Sequence, residues 1–148
     1  MKRSGGVTLI ELMVVLVILG ILGMLAYPTY ARYVTRTKRV EAQVAMIEAL
    51  QQEERYYMQH NAYIPFSSGA LPAEPRFRWW SGGTPAVSAY ELDARACPGR
   101  GIDECVQVRA RPGTDRVDTA FRDPDCGTLT MNSTGEHSAS GAFDRCWP

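Results

Sequence analysis

The sequence predicts an α+β fold. A long N-terminal helix, membrane-spanning in its first half and amphipathic in its second, packs on a three- to four-stranded antiparallel sheet with two disulfides. Three observations carry this expectation. Residues 7–27 are overwhelmingly apolar and carry a single charge, Glu11. Apolar residues then recur with a helical period up to about Tyr57. Beyond residue 89, three segments alternate apolar and polar with a period of two, and all four cysteines lie among or after them.

At ~1.5 Å per residue a helix over 7–27 covers roughly 31 Å, the thickness of a bilayer's hydrocarbon core. Lys2 and Arg3 stand ahead of it, and a basic flank stays on the cytoplasmic side. The stretch therefore reads as a single-pass anchor. Glu11 makes it more than that, because an ionised carboxylate in an apolar run is costly unless paired or hydrated. A secretory signal peptide would not carry it, and the small-residue cut site after Ala26 is spoiled by Met24. Gly5-Gly6 offers a peptidase an unhindered extended site just before the apolar run. A cut after Gly6 leaves the new amine of Val7 one helical turn from Glu11, where the helix cannot fold it back. A neighbouring copy can supply that amine, so that the charges cancel between subunits.

Gly20 and Gly23 each weaken the helix by ~1 kcal/mol relative to alanine. Pro28 removes the bond to the Met24 carbonyl, which predicts a kink, or a segment that loses helix when packed. From 29 to 57, Ala42, Met46, Ala49, Leu50 and Tyr57 form an apolar stripe. The basic cluster Arg36-Thr37-Lys38-Arg39 reads either as a solvated face or as a pairing surface for a neighbouring subunit.

Between 58 and 87 periodicity stops; Pro65, Pro72, Pro75, Pro85 and Ser81-Gly82-Gly83 mark a loop. Trp79-Trp80 within it reads as a ring plugging the domain, or as an exposed pair gripping a partner. Strands follow: Tyr90, Leu92 and Ala94; Val106, Val108 and Ala110; Leu129 and Met131. Asn132-Ser133-Thr134-Gly135 turns the chain into a short strand within 136–139. One face of this sheet should meet the helix and the other should be solvated.

The cysteines lie past the anchor, and an even count there predicts disulfides formed in an oxidising compartment. Of the three connectivities, neighbour pairing is expected: Cys97 with Cys105 and Cys126 with Cys146. By loop entropy these contribute roughly 2.6 and 3.3 kcal/mol. There is no Cys-x-x-Cys, and His60 and His137 are isolated, so neither a metal nor a cofactor is expected. Asp103-Glu104 lacks the alternating ligand spacing of a calcium loop. Asp123 and Asp125 flank a proline and read as turn caps. No nucleotide-binding loop or nucleophile elbow is present, so an enzyme is not expected. The formal charge is zero; without Lys2 and Arg3, 14 basic face 16 acidic side chains, which gives no overall attraction to nucleic acid.

Gly6-Val7-Thr8-Leu9-Ile10-Glu11-Leu12-Met13, with Pro28, Tyr30 and Tyr33, closely resembles the class III signal of type IV pilins and related pseudopilins. The resemblance implies cleavage by prepilin peptidase between Gly6 and Val7, N-methylation of Val7, and assembly through Glu11 and the region of Pro28. Related pilins lose helix in that region inside the fibre. Val7 departs from the family, which usually has phenylalanine there. Residues 125–136 and the Cys146-Trp147 ending look like the C-terminal half of PilE-type minor pilins. The expected division is a leader (1–6), a transmembrane and polymerisation helix (7–28), its amphipathic half (29–57) and a periplasmic or extracellular sheet domain (58–148). The implied function is a minor pilin supporting pilus assembly, twitching motility and adhesion. It would sit in the inner membrane, N-terminus in the cytoplasm, before joining the extracellular pilus. Its partners would be other pilins, prepilin peptidase and the inner-membrane assembly machinery. Two alternatives stand beside it: a DNA-uptake pilin that uses Arg76, Arg78 and the Trp pair, and a pseudopilin of type II secretion. The four cysteines and the Cys-Trp ending speak against the second.

Overall fold

A computed structural model describes residues 8–72 and 76–147; within α1 the side chains at 25, 28 and 29 are also outside the description. The order is helix α1 (Leu9–His60), a 3-10 turn (Pro85–Val87), then strands β1 (Tyr90–Ala96), β2 (Val106–Pro112), β3 (Leu129–Asn132) and β4 (His137–Ala139). The chain divides into two compact units, Met1–Arg36 and Thr37–Pro148.

In the first unit α1 carries apolar side chains that are exposed throughout 9–24. Those 16 residues span about 24 Å as helix, short of a ~30 Å hydrocarbon core. Among the described residues, no helix is long and apolar enough to cross a membrane. Gly6 and Val7 lie outside the described residues, as does the Pro28 side chain. The α1 backbone runs helical through position 28, so the loss of helix implied for the fibre is not a feature of the single chain.

In the second unit α1 ends three residues later than Tyr57. Met58-Gln59-His60 contains neither proline nor glycine, and Asn61, at φ 53°, supplies the left-handed stop. The buried face of α1 is built from Ala42, Ala45, Met46 and Ala49. Three alanines let the helix approach the sheet closely, and the core it meets is Tyr90, Leu92, Val106, Val108, Ala110 and Leu129.

The four strands are antiparallel and follow chain order, β1-β2-β3-β4. Leu92 pairs with Ala110, and Val108 with Met131, so alternate residues of each strand face the helix together. The β3–β4 turn is fixed by Asn132, whose Oδ1 accepts the N–H groups of Thr134 and Glu136 at 3.1 and 2.9 Å, with Gly135 at φ 86°. Cys97 is bonded to Cys105 across the mouth of the β1–β2 loop. The bond from Cys126 to Cys146 ties the last residues to the start of β3.

One expectation fails. The second face of the sheet is not simply solvated, because β1 is buried on both sides from Tyr90 to Ala94. The loop before it runs beside the strand's free edge, pairing Phe66 with Ala94 and Trp80 with Glu91. The loop's carbonyls at Trp79 and Phe66 accept the Leu92 and Ala94 N–H groups at 2.8 and 2.9 Å. This blocks the free edge of the sheet, which would otherwise invite strand addition.

Candidate functional site

The N-terminal end of α1 has a side-chain cap. Thr8 Oγ1 accepts the Glu11 N–H at 3.3 Å, and Thr8 O accepts the Leu12 N–H at 3.2 Å. Thr8-x-x-Glu11 is the spacing of a capping box, a local signal that the surrounding apolar run masks. It places Glu11 third in the helix, where the unpaired N–H groups favour a carboxylate. Glu11 therefore has a use within its own chain, and its side chain is exposed.

Two of the three cations of the basic cluster are matched within the chain, while Arg36 is exposed. Arg39 is buried, and its Nε and Nη2 donate to Asp123 Oδ2 and Oδ1 at 2.8 and 2.7 Å. Tyr90, fully buried in β1, donates its hydroxyl to the same Oδ2 at 2.5 Å. The Cys126 N–H reaches Oδ1 at 3.2 Å, so Asp123 is a turn cap as well. Burial pushes the Asp123 carboxyl up, but the bonds from Arg39, Tyr90 and Cys126 outweigh it and hold it below its ordinary value. The bond to Asp123 leads in raising Arg39. Burial, then the bond to Asp123, raises Tyr90. Lys38 turns to Glu41 on its own helix at 3.1 Å.

On the outer face of the sheet, Arg109 donates from Nε and Nη2 to Asp93 Oδ2 at 2.9 and 2.6 Å. Arg111 Nη2 lies 3.2 Å from Glu91 Oε1, which also accepts the Ser68 hydroxyl at 2.7 Å. Arg111 Nε is 3.2 Å from Asp93 Oδ1, an ion-pair contact without the alignment of a hydrogen bond. Arg95, Arg109 and Arg111 line an open groove of about 290 Å³ with Pro65, Phe66 and Ser67. Two of its three guanidinium groups are already matched to carboxylates.

The tryptophans follow the first of the two readings: one ring, Trp79, packs on the domain core. The two rings meet edge to face with centroids 5.3 Å apart, both half-buried. Arg78 pairs with Glu48 at 3.0 Å. Arg78 thus already has a carboxylate partner at the surface. A second groove, of about 310 Å³ and apolar, lies between α1 and the chain's end: Val40, Val44 and Ile47 on the helix face Met131, His137 and Trp147. Gln43 closes one side by donating to Cys146 O at 2.6 Å, and Trp147 Nε1 donates to Ser138 O at 3.0 Å, covering the β4 edge. Among the described residues no group of three His, Cys, Asp or Glu is placed to hold a metal ion.

Two family models match. The prokaryotic N-terminal methylation motif covers residues 1–27. The model described as the type IV minor pilin ComP, DNA uptake sequence receptor, covers residues 28–130, more than half of the chain. Among curated proteins, none matches this sequence. The capped, exposed apolar helix, the helix-backed four-stranded sheet and these two abutting matches lead to one conclusion: the chain belongs to the ComP family of type IV minor pilins.

Proposed function

We propose that this chain is made as a precursor, cut between Gly6 and Val7, methylated on Val7, and drawn through Glu11 and the Pro28 region into a type IV pilus. The abutment of a methylation motif (1–27) with a minor-pilin domain (28–130) carries the reading. The apolar side chains of 9–24 have no cover in the single chain, which supports a place in the inner membrane before assembly and among other helices afterwards. The residues flanking this run would complete the span. The assembled subunit would support pilus assembly, twitching motility and adhesion. Mature protein from sheared pili should begin with Val7-Thr8-Leu9-Ile10-Glu11, the first residue carrying a methyl group. A start at Gly6 or after Ala26 would remove the assignment.

A second reading, capture of DNA, is supported by the description of the matched family as a DNA uptake sequence receptor. On this chain the groove of Arg95, Arg109 and Arg111 suits phosphate better than the Arg78 and Trp pair does. It ranks second because Asp93 and Glu91 neutralise two of its cations. Duplex binding by phosphate contacts weakens steeply with salt. Full-chain protein in detergent that shifts no duplex even at low ionic strength would dismiss it.

A further inference from the structure

Glu53 is the one fully buried carboxylate on α1 among the described residues, with 0% exposure. Its Oε2 accepts the Ile64 N–H at 3.0 Å, and its Oε1 has no partner. Five residues, 61–65, separate the helix end from Phe66, which is fastened to Ala94. This short segment is pinned from three directions. Asn61 turns the chain at φ 53°. Glu53 holds the Ile64 amide, and the Tyr63 N–H donates to Ile102 O at 3.2 Å inside the loop closed by Cys97 and Cys105. The segment therefore couples the end of α1 to the tip of the β1–β2 hairpin.

We infer that Glu53 is a proton-controlled latch: neutral, it keeps the 61–65 segment and the disulfide-closed loop docked on α1, and ionised, it releases them. A neutral carboxyl can accept the Ile64 N–H without leaving a charge in the core. A carboxylate there has one bond and no counter-ion, and it reaches water only if the segment lifts. The groups around it offer no compensation. Glu54 on the same helix is acidic and takes the Tyr63 hydroxyl at 2.9 Å. His60 stacks on Tyr56 and faces the Tyr56 carbonyl. Arg100, Asp103 and Glu104 of the closed loop are exposed and form no ion pair with Glu53. Burial raises the Glu53 carboxyl to about 7, against 4.5 for the free group, and the Ile64 bond only partly opposes it.

The docked state thus holds its proton more tightly than the open state. Docking is strongest at acid pH, weakens as pH rises from the free value through the docked one, and levels off above it. From pH 6 to 8.5 the closing equilibrium should fall about tenfold. The test is amide exchange on the full chain in detergent micelles, corrected for the intrinsic base-catalysed rate. Protection of Tyr63 and Ile64 should drop about tenfold over that interval, while Leu92 and Val108 hold theirs. In Glu53→Gln, which keeps an acceptor for Ile64, the drop should vanish. If the drop persists in that variant, the switch belongs to another group, His60 first, and the proposal fails. A carbon-13 titration of the wild-type carboxyl tests the same point without any variant: a Glu53 midpoint near 7 is expected, and one in the ordinary glutamate range would overturn the latch.

Discussion

Replacing Asp123 by asparagine keeps the shape of the side chain and removes its charge. The carboxylate accepts two bonds from Arg39, one from Tyr90 and one from the Cys126 N–H, all in the interior. Asparagine has a single acceptor oxygen, so its amide N–H₂ must face donors of Arg39 or Tyr90 while the guanidinium stays buried. Breaking a buried pair from one side costs about 3–5 kcal/mol, because a charge is left uncompensated. For a unit of this size that lowers the unfolding midpoint by roughly 10–20 °C. The assay is urea unfolding of the full chain in a fixed detergent, followed by near-ultraviolet signal. Arg39→Met combined with Asp123→Leu should recover part of the loss, since no charge is left buried, although the Tyr90 hydroxyl and the Cys126 N–H lose their acceptor. The wild type also carries a pH signature. Because folding lowers the Asp123 carboxyl, its contribution is full above the unfolded-chain value. It is lost as pH falls through the folded one. Asparagine should flatten that acid limb. A cost below about 1 kcal/mol, or a double variant no better than the singles, would refute the argument that the buried charge pair holds the loop before β3 to the helix.

Glu11→Ala should leave membrane insertion and the fold of Thr37–Pro148 intact yet lower the fibre-to-membrane ratio of the subunit in sheared preparations. Two opposite charges ~4 Å apart interact by roughly 4 kcal/mol at an effective dielectric of 20, before desolvation is subtracted. Normal incorporation would show that Glu11 is not an assembly contact. Non-reducing peptide mapping should recover Cys97 joined to Cys105 and Cys126 joined to Cys146, and a peptide joining Cys105 to Cys126 would contradict the structure. Replacing Cys126 and Cys146 by serine should cost about 3 kcal/mol in urea unfolding, the loop-entropy value.

The fold class is legible in the sequence because each element announces itself locally. The helical stripe of Ala42, Met46 and Ala49 and the alternation of Val106, Val108 and Ala110 depend only on which face each residue presents. The Thr8-x-x-Glu11 cap is equally local, although it sits inside an apolar run that draws Glu11 toward an intermolecular role. Tertiary structure decided the partners of the charges. Arg39 and Asp123 are 84 positions apart, and no period or spacing links them. Their meeting depends on where the loop before β3 lands against α1. Glu91 and Asp93 alternate with apolar neighbours and so read as solvated. The bridges of Phe66 and Trp80 to β1 accompany their burial, and Arg109 and Arg111 could neutralise them only after β2 had paired in register. Glu53 reads as one polar residue among several on an amphipathic helix. Burial is a property of what packs on top, and what lies on top of Glu53 is a turn that takes its shape only once Phe66 and Ile102 are in place.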